Sequence, residues 1–523
     1  MSNWWQHAVC YQIYSRSYAD SNGDGIGDLA GIAAHLDHLE WLGIDAIWLT
    51  PTYPSPNHDW GYDVADYFDV DGDLGTMSDL DALVAEAERR GIRVLMDLVP
   101  NHTSIEHEWF ADSRSSRESE KRDWYVWADP KPGGSAPNNW VSTFIGPAWE
   151  LDESTGQYYL HNFLVQQPDL NWWNPAISDE FDRILRFWFD RGVAGFRIDV
   201  SHMIIKDREL RDNPPATPKD NLLDQFRGQS PVWNSNRPEV HDVHKRFRRV
   251  ADEYDPPRLL VGETFVGEVH RVAEYYGDND ELTMAFNIPF LQAEFDAGIL
   301  CGLVEETEKL LPPGSVPVWT GSNHDVSRFP TRWAGGKEAA ARVATMMLLT
   351  LRGAAFLYYG DELGMEDTDV PLDRLLDPVS IAFQPVLNRD AARTPMQWTG
   401  EPGAGFTRDG QEPWLPFGSL ETNVEAQRAD PTSTLHFTRD LIALKKKTTE
   451  LQSGAYTTHQ QRGSLWSYKR GGDVLVALNL GDEVATVNDV TGTIALCTNR
   501  ERDGETARGA LVLAPWEGAV VTT

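Results

Sequence analysis

Cysteine, long apolar runs and basic residues are all scarce in this sequence. The three cysteines, Cys10, Cys301 and Cys497, are too few and too scattered for a disulfide framework. The longest apolar stretch, Val343 to Leu351, is broken by Thr345 and Thr350 and is too short to cross a bilayer. The opening residues Met1 to His7 carry no basic segment followed by an apolar one, so no secretory signal is expected. Lys and Arg number 46 against 80 Asp and Glu, giving a net charge of −34. Such a surface repels phosphate backbones and anionic lipid, which argues against nucleic-acid and membrane partners and leaves neutral ligands unaffected. Together these features point to a cytoplasmic, reducing setting. No repeat or low-complexity tract stands out.

What is present is an ordinary globular mixture, 41% hydrophobic and 24% charged, long enough for a large core without covalent staples. Short apolar runs alternate with amphipathic helical stretches. The expected strands are Ala8–Tyr14, Asp45–Pro51, Ile92–Val99, Ala194–Val200, Leu259–Glu263, Leu282–Ile288, Pro317–Asn323 and Ala355–Tyr359. Eight βα units imply a closed (β/α)8 barrel of the α/β class, assigned to residues 1–102 and 173–452. Residues 103–172 break the alternation and are expected to form a small inserted domain after the third strand. Residues 453–523 hold short strand-like runs with turn signals between them, expected as a C-terminal antiparallel β domain.

In a parallel barrel the chemistry gathers at the carboxyl ends of the strands. There the sequence places Asp97-Leu98-Val99-Pro100-Asn101-His102, then Gly195-Phe196-Arg197-Ile198-Asp199-Val200, then Glu263, then Asn323-His324-Asp325. Arg197 and Asp199 are two apart and share one face of their strand. An inward Arg beside an inward Asp is costly to bury without a partner or a purpose. One such pair is often structural, whereas acids at three strand ends facing one mouth are hard to explain that way.

These segments resemble the four sequence regions of the α-amylase superfamily, glycoside hydrolase family 13. Tyr11-Gln12-Ile13-Tyr14, Gly61-Tyr62-Asp63, Gln167-Pro168-Asp169-Leu170-Asn171 and Arg393-Thr394-Pro395-Met396-Gln397-Trp398 extend the likeness towards its α-glucosidase and oligo-1,6-glucosidase branch. The resemblance runs in order from Trp4 to about Trp414. It implies a retaining pair of carboxyls, with Asp199 as nucleophile and Glu263 as general acid, the latter requiring a raised pKa. Asp325 would be the third acid, gripping sugar hydroxyls, and Arg197 would keep Asp199 ionised. His102 and His324 would hydrogen-bond the same glucose, Tyr62 would stack on it, and Phe144 and Phe163 would wall the pocket. In similar exo-acting enzymes an Asp before Gly-Tyr-Asp pairs with the Arg of Arg-Thr-Pro-Met. Asp59 and Arg393 are therefore expected to close the pocket, and the substrates to be small α-glucosides cut from the non-reducing end.

Asp20-Ser21-Asn22-Gly23-Asp24-Gly25-Ile26-Gly27-Asp28 has oxygen ligands at alternate positions but lacks the final Glu of an EF-hand. By itself it reads equally as a turn or a cation loop. The resemblance implies a structural Ca²⁺ or Mg²⁺ held by Asp20, Asn22, Asp24, the Ile26 carbonyl and Asp28, and no organic cofactor. Val200 after the nucleophile leans to α-1,6 bonds, whereas Lys206 to Pro215 resembles the loop of α-1,4 and glucosyl-transferring relatives. The α-1,4 linkage leads, with oligo-1,6-glucosidase and transferase or isomerase activities, such as trehalose synthase or sucrose isomerase, as alternatives. A non-catalytic transporter heavy chain would need a membrane span and generally lacks these acids.

Overall fold

The computed structural model describes residues 3–144, 146–218, 220, 222–383 and 387–523. Met1 and Ser2 of the opening stretch lie outside the described residues. Eight parallel strands form the barrel: β1 (Val9–Ile13), β2 (Ala46–Leu49), β3 (Arg93–Leu98), β4 (Gly195–Ile198), β5 (Leu259–Gly262), β6 (Met284–Ala285), β7 (Val318–Thr320) and β8 (Ala354–Tyr358). They pair in chain order, with β8 returning to β1. A single parallel bridge between Phe286 and Val318 closes the ring between β6 and β7.

A period of two along the strands fills the barrel and arms its mouth. Cys10, Ala46, Trp48, Leu95, Leu259, Val261, Met284, Phe286 and Phe356 form one buried apolar cluster inside the barrel. Two residues further along the same faces come Gln12, Asp97 and Glu263. On β4 that parity runs Gly195, Arg197, Asp199. Gly195 leaves room for β5: a Cβ there would lie 2.3 Å from the Leu259 carbonyl oxygen. The outer helices bury a second, larger core. The helix Pro175–Asp190 shows why the sequence folds locally as it does. Asn174 caps it, Pro175 opens it, Ile177, Phe181, Ile184, Leu185 and Trp188 face inward, and Gly192 follows in a left-handed turn.

The expected strands are trimmed or shifted at their ends, one of them most of all. The run Leu282–Ile288 yields only Met284–Ala285, because Asn287 accepts from the Phe290 amide and starts the helix Ile288–Gln292 with Pro289 in its first turn. Between β3 and β4 the chain makes a helix, Glu108–Ser115, and an antiparallel sheet of three strands, Trp127–Ala128, Trp149–Asp152 and Gln157–Leu160. A bridge from His102 to Asp169 and the bond from the Leu170 amide to the Asn101 carbonyl bind this insertion back onto the barrel mouth. The C-terminal unit is a six-stranded antiparallel sheet running from Tyr456 to Thr522. A ring stack of Trp333, Phe295 and Trp516 and the bond from Arg470 to the Thr350 carbonyl dock it on the barrel.

Candidate active site

Arg197 organises the first half of the mouth. Its Nη1 donates to Asp97 Oδ1 at 2.9 Å and to Asp199 Oδ1 at 2.7 Å, and its Nη2 lies 2.8 Å from Glu263 Oε2. All four side chains are buried. The Val200 amide also donates to Glu263 Oε2, at 2.9 Å. Oε2 thus takes both of these donors. Val200 holds a φ of 35°, a strained value for a β-branched residue, directly after Asp199. Burial pushes the Asp199 carboxyl well above the usual range; Arg197 pulls it down, while Glu263 and Asp97 push it up again. Burial likewise raises Asp97 to about 6 against Arg197. Arg197 thus acts on Asp199 in the expected direction, against burial and two neighbouring carboxyls that share the same guanidinium.

The second half is built differently. Arg389 lies 3.0 Å from Asp325, 3.2 Å from Asp59 and in contact with Asp377. Arg393 lies 2.9 Å from Asp325 and 3.5 Å from Asp377, and its Nε donates to the His324 carbonyl at 2.8 Å. The expected Asp59–Arg393 ion pair is therefore not the one formed. Arg393 is committed to the floor beneath His324, and Arg389, one turn earlier in the segment, reaches Asp59 instead. Sequence reasoning missed Arg389 and Asp377; a second Arg four residues before the Arg-Thr-Pro-Met motif was the available signal.

Burial alone would raise Asp325, and His324 lowers it only when charged, which burial prevents. Arg389 and Arg393 thus hold this carboxyl below the usual range. Burial also opposes the ionisation of Asp377, yet the same two arginines bring it down to about 2. Asp59 is the exception: burial lifts it to about 6 despite Arg389.

Tyr62, His102 and His324 line the space between the halves. Tyr62 donates to Asp97 Oδ2 at 3.0 Å and meets His324 Nε2 at 2.7 Å. Its ring stacks on His324 at 5.3 Å, so one face of the expected sugar platform is already covered. Gln12 Nε2 lies 2.8 Å from His324 Nδ1, and an amide nitrogen can only donate, so Nδ1 is the bare nitrogen and Nε2 carries the proton. Gln167 Nε2 reaches Asp59 at 3.0 Å and His102 at 3.1 Å. Phe163 packs on His102 at 5.0 Å and on Phe144 at 5.4 Å, and Phe144 lies under Arg389 at 5.3 Å. The fold thus gathers all eleven residues expected at the catalytic and substrate-binding positions.

The Asp20–Asp28 loop lies apart from them, against the segment around Phe406 and Thr407. Asp20 accepts from the Gly23 and Gly25 amides, Asn22 from Asp24, and Asp24 from Ile26. Asp28 caps the helix Leu29–Ala34 and accepts from Ser21. The donor types suit a hard cation. As arranged, the oxygens are turned onto loop amides, and among the described residues no three acidic, His or Cys side chains converge on one metal position.

This architecture has close relatives. The model of the alpha amylase catalytic domain matches residues 12–454. A probable alpha-glucosidase of Rhizobium meliloti is 43% identical over 504 residues, covering 92% of this chain and 90% of the relative. An oligo-1,6-glucosidase of Heyndrickxia coagulans is 36% identical, covering 99% of both. A solved alpha-glucosyl transfer enzyme superimposes with a TM-score of 0.94 at 38% identity, and the trehalulose synthase of Pseudomonas mesoacidophila MX-45 with 0.91 at 33%, each covering 100% of both chains. A barrel with this insertion, this C-terminal sheet and acids at its strand ends defines a glycoside hydrolase. The chain belongs to the alpha-amylase family, within its alpha-glucosidase branch.

Proposed function

We propose that the protein is an exo-acting, retaining α-glucosidase that releases α-glucose from the non-reducing end of short α-glucosides such as maltose, with accompanying transglucosylation. The observation that carries the glycosidase reading is the grip of one guanidinium on both Asp199 and Glu263. The two bonds and the width of the guanidinium bound their nearest oxygens within about 8 Å of each other, inside the reach of a paired-carboxyl mechanism, and the retaining course is proposed within that bound. In this reading Asp199 attacks the anomeric carbon and forms a glucosyl ester while Glu263 protonates the leaving oxygen. Glu263 then takes a proton from water, or from a second sugar's hydroxyl, as that oxygen displaces Asp199. Asp325, held ionised by Arg389 and Arg393, accepts hydroxyl hydrogens as the ring flattens. Asp59, Arg389 and Gln167 close the far end, which favours a terminal glucose over a chain interior.

Two alternatives have specific support: α-1,6 preference from Val200 and the oligo-1,6-glucosidase relative, and net transfer from the likeness to the transfer enzyme and the trehalulose synthase. Initial rates on maltose, isomaltose, sucrose and kojibiose, with products resolved as free glucose or rearranged disaccharide, separate these readings. Exo action fails if maltose or longer products appear first from blocked oligosaccharides. We also propose that the Asp20–Asp28 loop takes a structural Ca²⁺ or Mg²⁺ when its side chains turn from the amides to the ion. A chelator should then lower the melting temperature, and no shift in either direction on chelation or readdition would remove the site. The cellular setting is proposed as cytoplasmic. The three thiols are buried and free, and among the described residues no helix is long and apolar enough to cross a membrane. Cell fractionation tests this.

A further inference from the structure

A buried lysine outside the carboxyl clusters connects to the sugar pocket through a chain of hydrogen bonds that passes through Asn101 and His102. Lys206 follows Asp199 by seven residues and is 3% exposed. Its ammonium lies 2.8 Å from Asp169 Oδ2 and donates to Asn101 Oδ1 at 2.6 Å. Asp169 belongs to the insertion and also accepts from Asn162, at 2.8 Å from its amide and 2.6 Å from its side chain. An ammonium is a donor only, so the Asn101 amide must turn its oxygen to Lys206. Its nitrogen then faces His102 Nδ1, 3.0 Å away, and Asp169 Oδ2, 3.4 Å away.

The orientation of Asn101 decides the proton of His102. On this side of the ring the amide nitrogen can only donate, so it favours a bare Nδ1 with the ring proton on Nε2. The other side of the ring agrees, since Nε2 lies 3.2 Å from the Tyr62 carbonyl oxygen, which needs a donor. Burial keeps the ring neutral, lowering its pKa to about 4, so a doubly protonated ring does not relax the choice near neutral pH. Next to Nε2 lies Gln167 Nε2, at 3.1 Å, and its amide is oriented by Asp59 and by the Leu164 amide. Gln167 Nε2 is itself a donor and favours a bare Nε2, so it competes with Asn101 and the Tyr62 carbonyl, which favour Nε2–H. With Nε2–H selected, two N–H donors stand side by side there and call for an acceptor oxygen such as a sugar hydroxyl.

We propose that Lys206 is a positioning residue for the glycosidase reaction: through Asn101 it selects the Nε2–H tautomer of His102, so that the ring presents a donor to the bound glucose. The pocket-facing part of this inference rests on the proposed role of His102 towards glucose, whereas the tautomer does not. The test has two arms. In ¹⁵N-histidine-labelled enzyme, with His102 assigned by its loss in His102→Asn, the ring should be Nε2-protonated in the wild type. It should become a tautomer mixture in Lys206→Met, and Nδ1-protonated in Asn101→Asp, which keeps an acceptor for Lys206 but removes the donor to His102. In the kinetic arm, one monodeoxy aryl α-glucoside should be disfavoured by wild type about tenfold or more, and Lys206→Met should erase that discrimination while slowing the parent substrate. An unchanged Nε2–H tautomer in both variants overturns the proposal, as does an even loss across all deoxy substrates with only a lower melting temperature. A switched tautomer without any change in deoxy discrimination would keep the relay and instead refute the role of His102 at the glucose.

Discussion

The two halves of the mouth each bring three carboxyls together, all buried except the partly exposed Asp325, yet they treat protons in opposite ways. Around Arg197, one cation serves Asp97, Asp199 and Glu263, and burial wins: Asp199 and Asp97 titrate above the usual range. Around Arg389 and Arg393, two cations serve Asp59, Asp325 and Asp377, and Asp325 and Asp377 titrate below it. With Asp59 as the exception, the count of guanidiniums separates a cluster whose Asp97 and Asp199 are drawn towards protonation, the proton-passing half of the proposed mechanism, from one whose Asp325 and Asp377 are held ionised, its charge-fixing half.

The largest expected effect comes from the proton-passing half. Glu263→Gln should cut kcat/KM on maltose by about 10²–10⁴-fold. It should do far less to glucosylation by an aryl glucoside with an acidic leaving group, which needs little protonation. Equal losses on both substrates would mean that this half does not deliver a proton, and the contrast between the clusters would lose its functional sense.

Next come the two arginines of the charge-fixing half. Arg389→Ala strips Asp59 of its ion pair and leaves Asp325 and Asp377 one cation short, at a cost of about 3–5 kcal/mol. It should raise KM for maltose and weaken the preference for short over long chains. Arg393→Ala leaves the Asp59–Arg389 pair in place, so it should lower the urea midpoint with less change in chain-length preference. Steady-state kinetics on a maltooligosaccharide series beside equilibrium unfolding reads both, and the reverse pattern would restore Arg393 as the partner of Asp59.

Much of this mouth was legible in the sequence, for a local reason. The period-two runs of β3, β4 and β5 end in Asp97, Asp199 and Glu263, so their common facing follows from strand parity alone. What stayed hidden depended on long-range choices between equivalent groups. Arg389 and Arg393 are four residues apart in one segment, and only the packing of that segment against Asp59, some 330 residues earlier, selects which of them reaches it. The Asn101 amide and the His102 proton were illegible because their direction is set by Lys206, a residue of another loop. In the Asp20–Asp28 loop the alternate oxygens were visible, but local side-chain-to-amide bonds compete with convergence on an ion. The early end of β6 follows from the cap at Asn287, which an apolar run through Ile288 conceals.

Asp59 is the member of the charge-fixing half that behaves like the other half, and pH exposes it. Its pKa is raised to about 6 by burial, so the folded state binds its proton more tightly than the unfolded chain. Its contribution to stability therefore falls as pH rises from about 4 to about 6 and is level above that. Asp377, lowered to about 2, has the opposite sign: its contribution is full above about 4 and is lost as pH falls towards 2. With Asp59 protonated the ion pair to Arg389 disappears, so KM for maltose should climb as pH falls below about 6. Asp59→Asn should abolish that climb while leaving the pH profile of kcat nearly unchanged. A KM that stays level from pH 5 to 7 in the wild type would show that Asp59 remains ionised and belongs wholly with its neighbours.

The smallest expected effect concerns strain, which each half stores at one non-glycine residue next to an acid. Val200, beside Asp199, has a φ of 35°, and Trp60, beside Asp59, a φ of 50°. Such residues cost about 1–3 kcal/mol each unless the surroundings hold them. Trp60 is held by its neighbours: its ring meets Trp414 at 5.1 Å and its Nε1 donates to the Leu376 carbonyl at 3.3 Å. Val200 is held through its backbone, by the amide bond to Glu263. Glycine at either position removes the strain, but at 60 it also removes the larger side chain, with its ring contact to Trp414 and its bond to Leu376. Val200→Gly should thus raise the urea midpoint by the equivalent of about 1 kcal/mol, after the roughly 0.5–1 kcal/mol that glycine costs through the unfolded chain. Its kcat should fall several-fold, because a relaxed backbone no longer fixes Oε2 of the acid. Trp60→Gly should instead lower the midpoint, since the lost ring packing outweighs the relief. If Val200→Gly proves both less stable and fully active, the strain beside Asp199 has no part in holding Glu263, and the amide bond is an incidental contact of the proton-passing half.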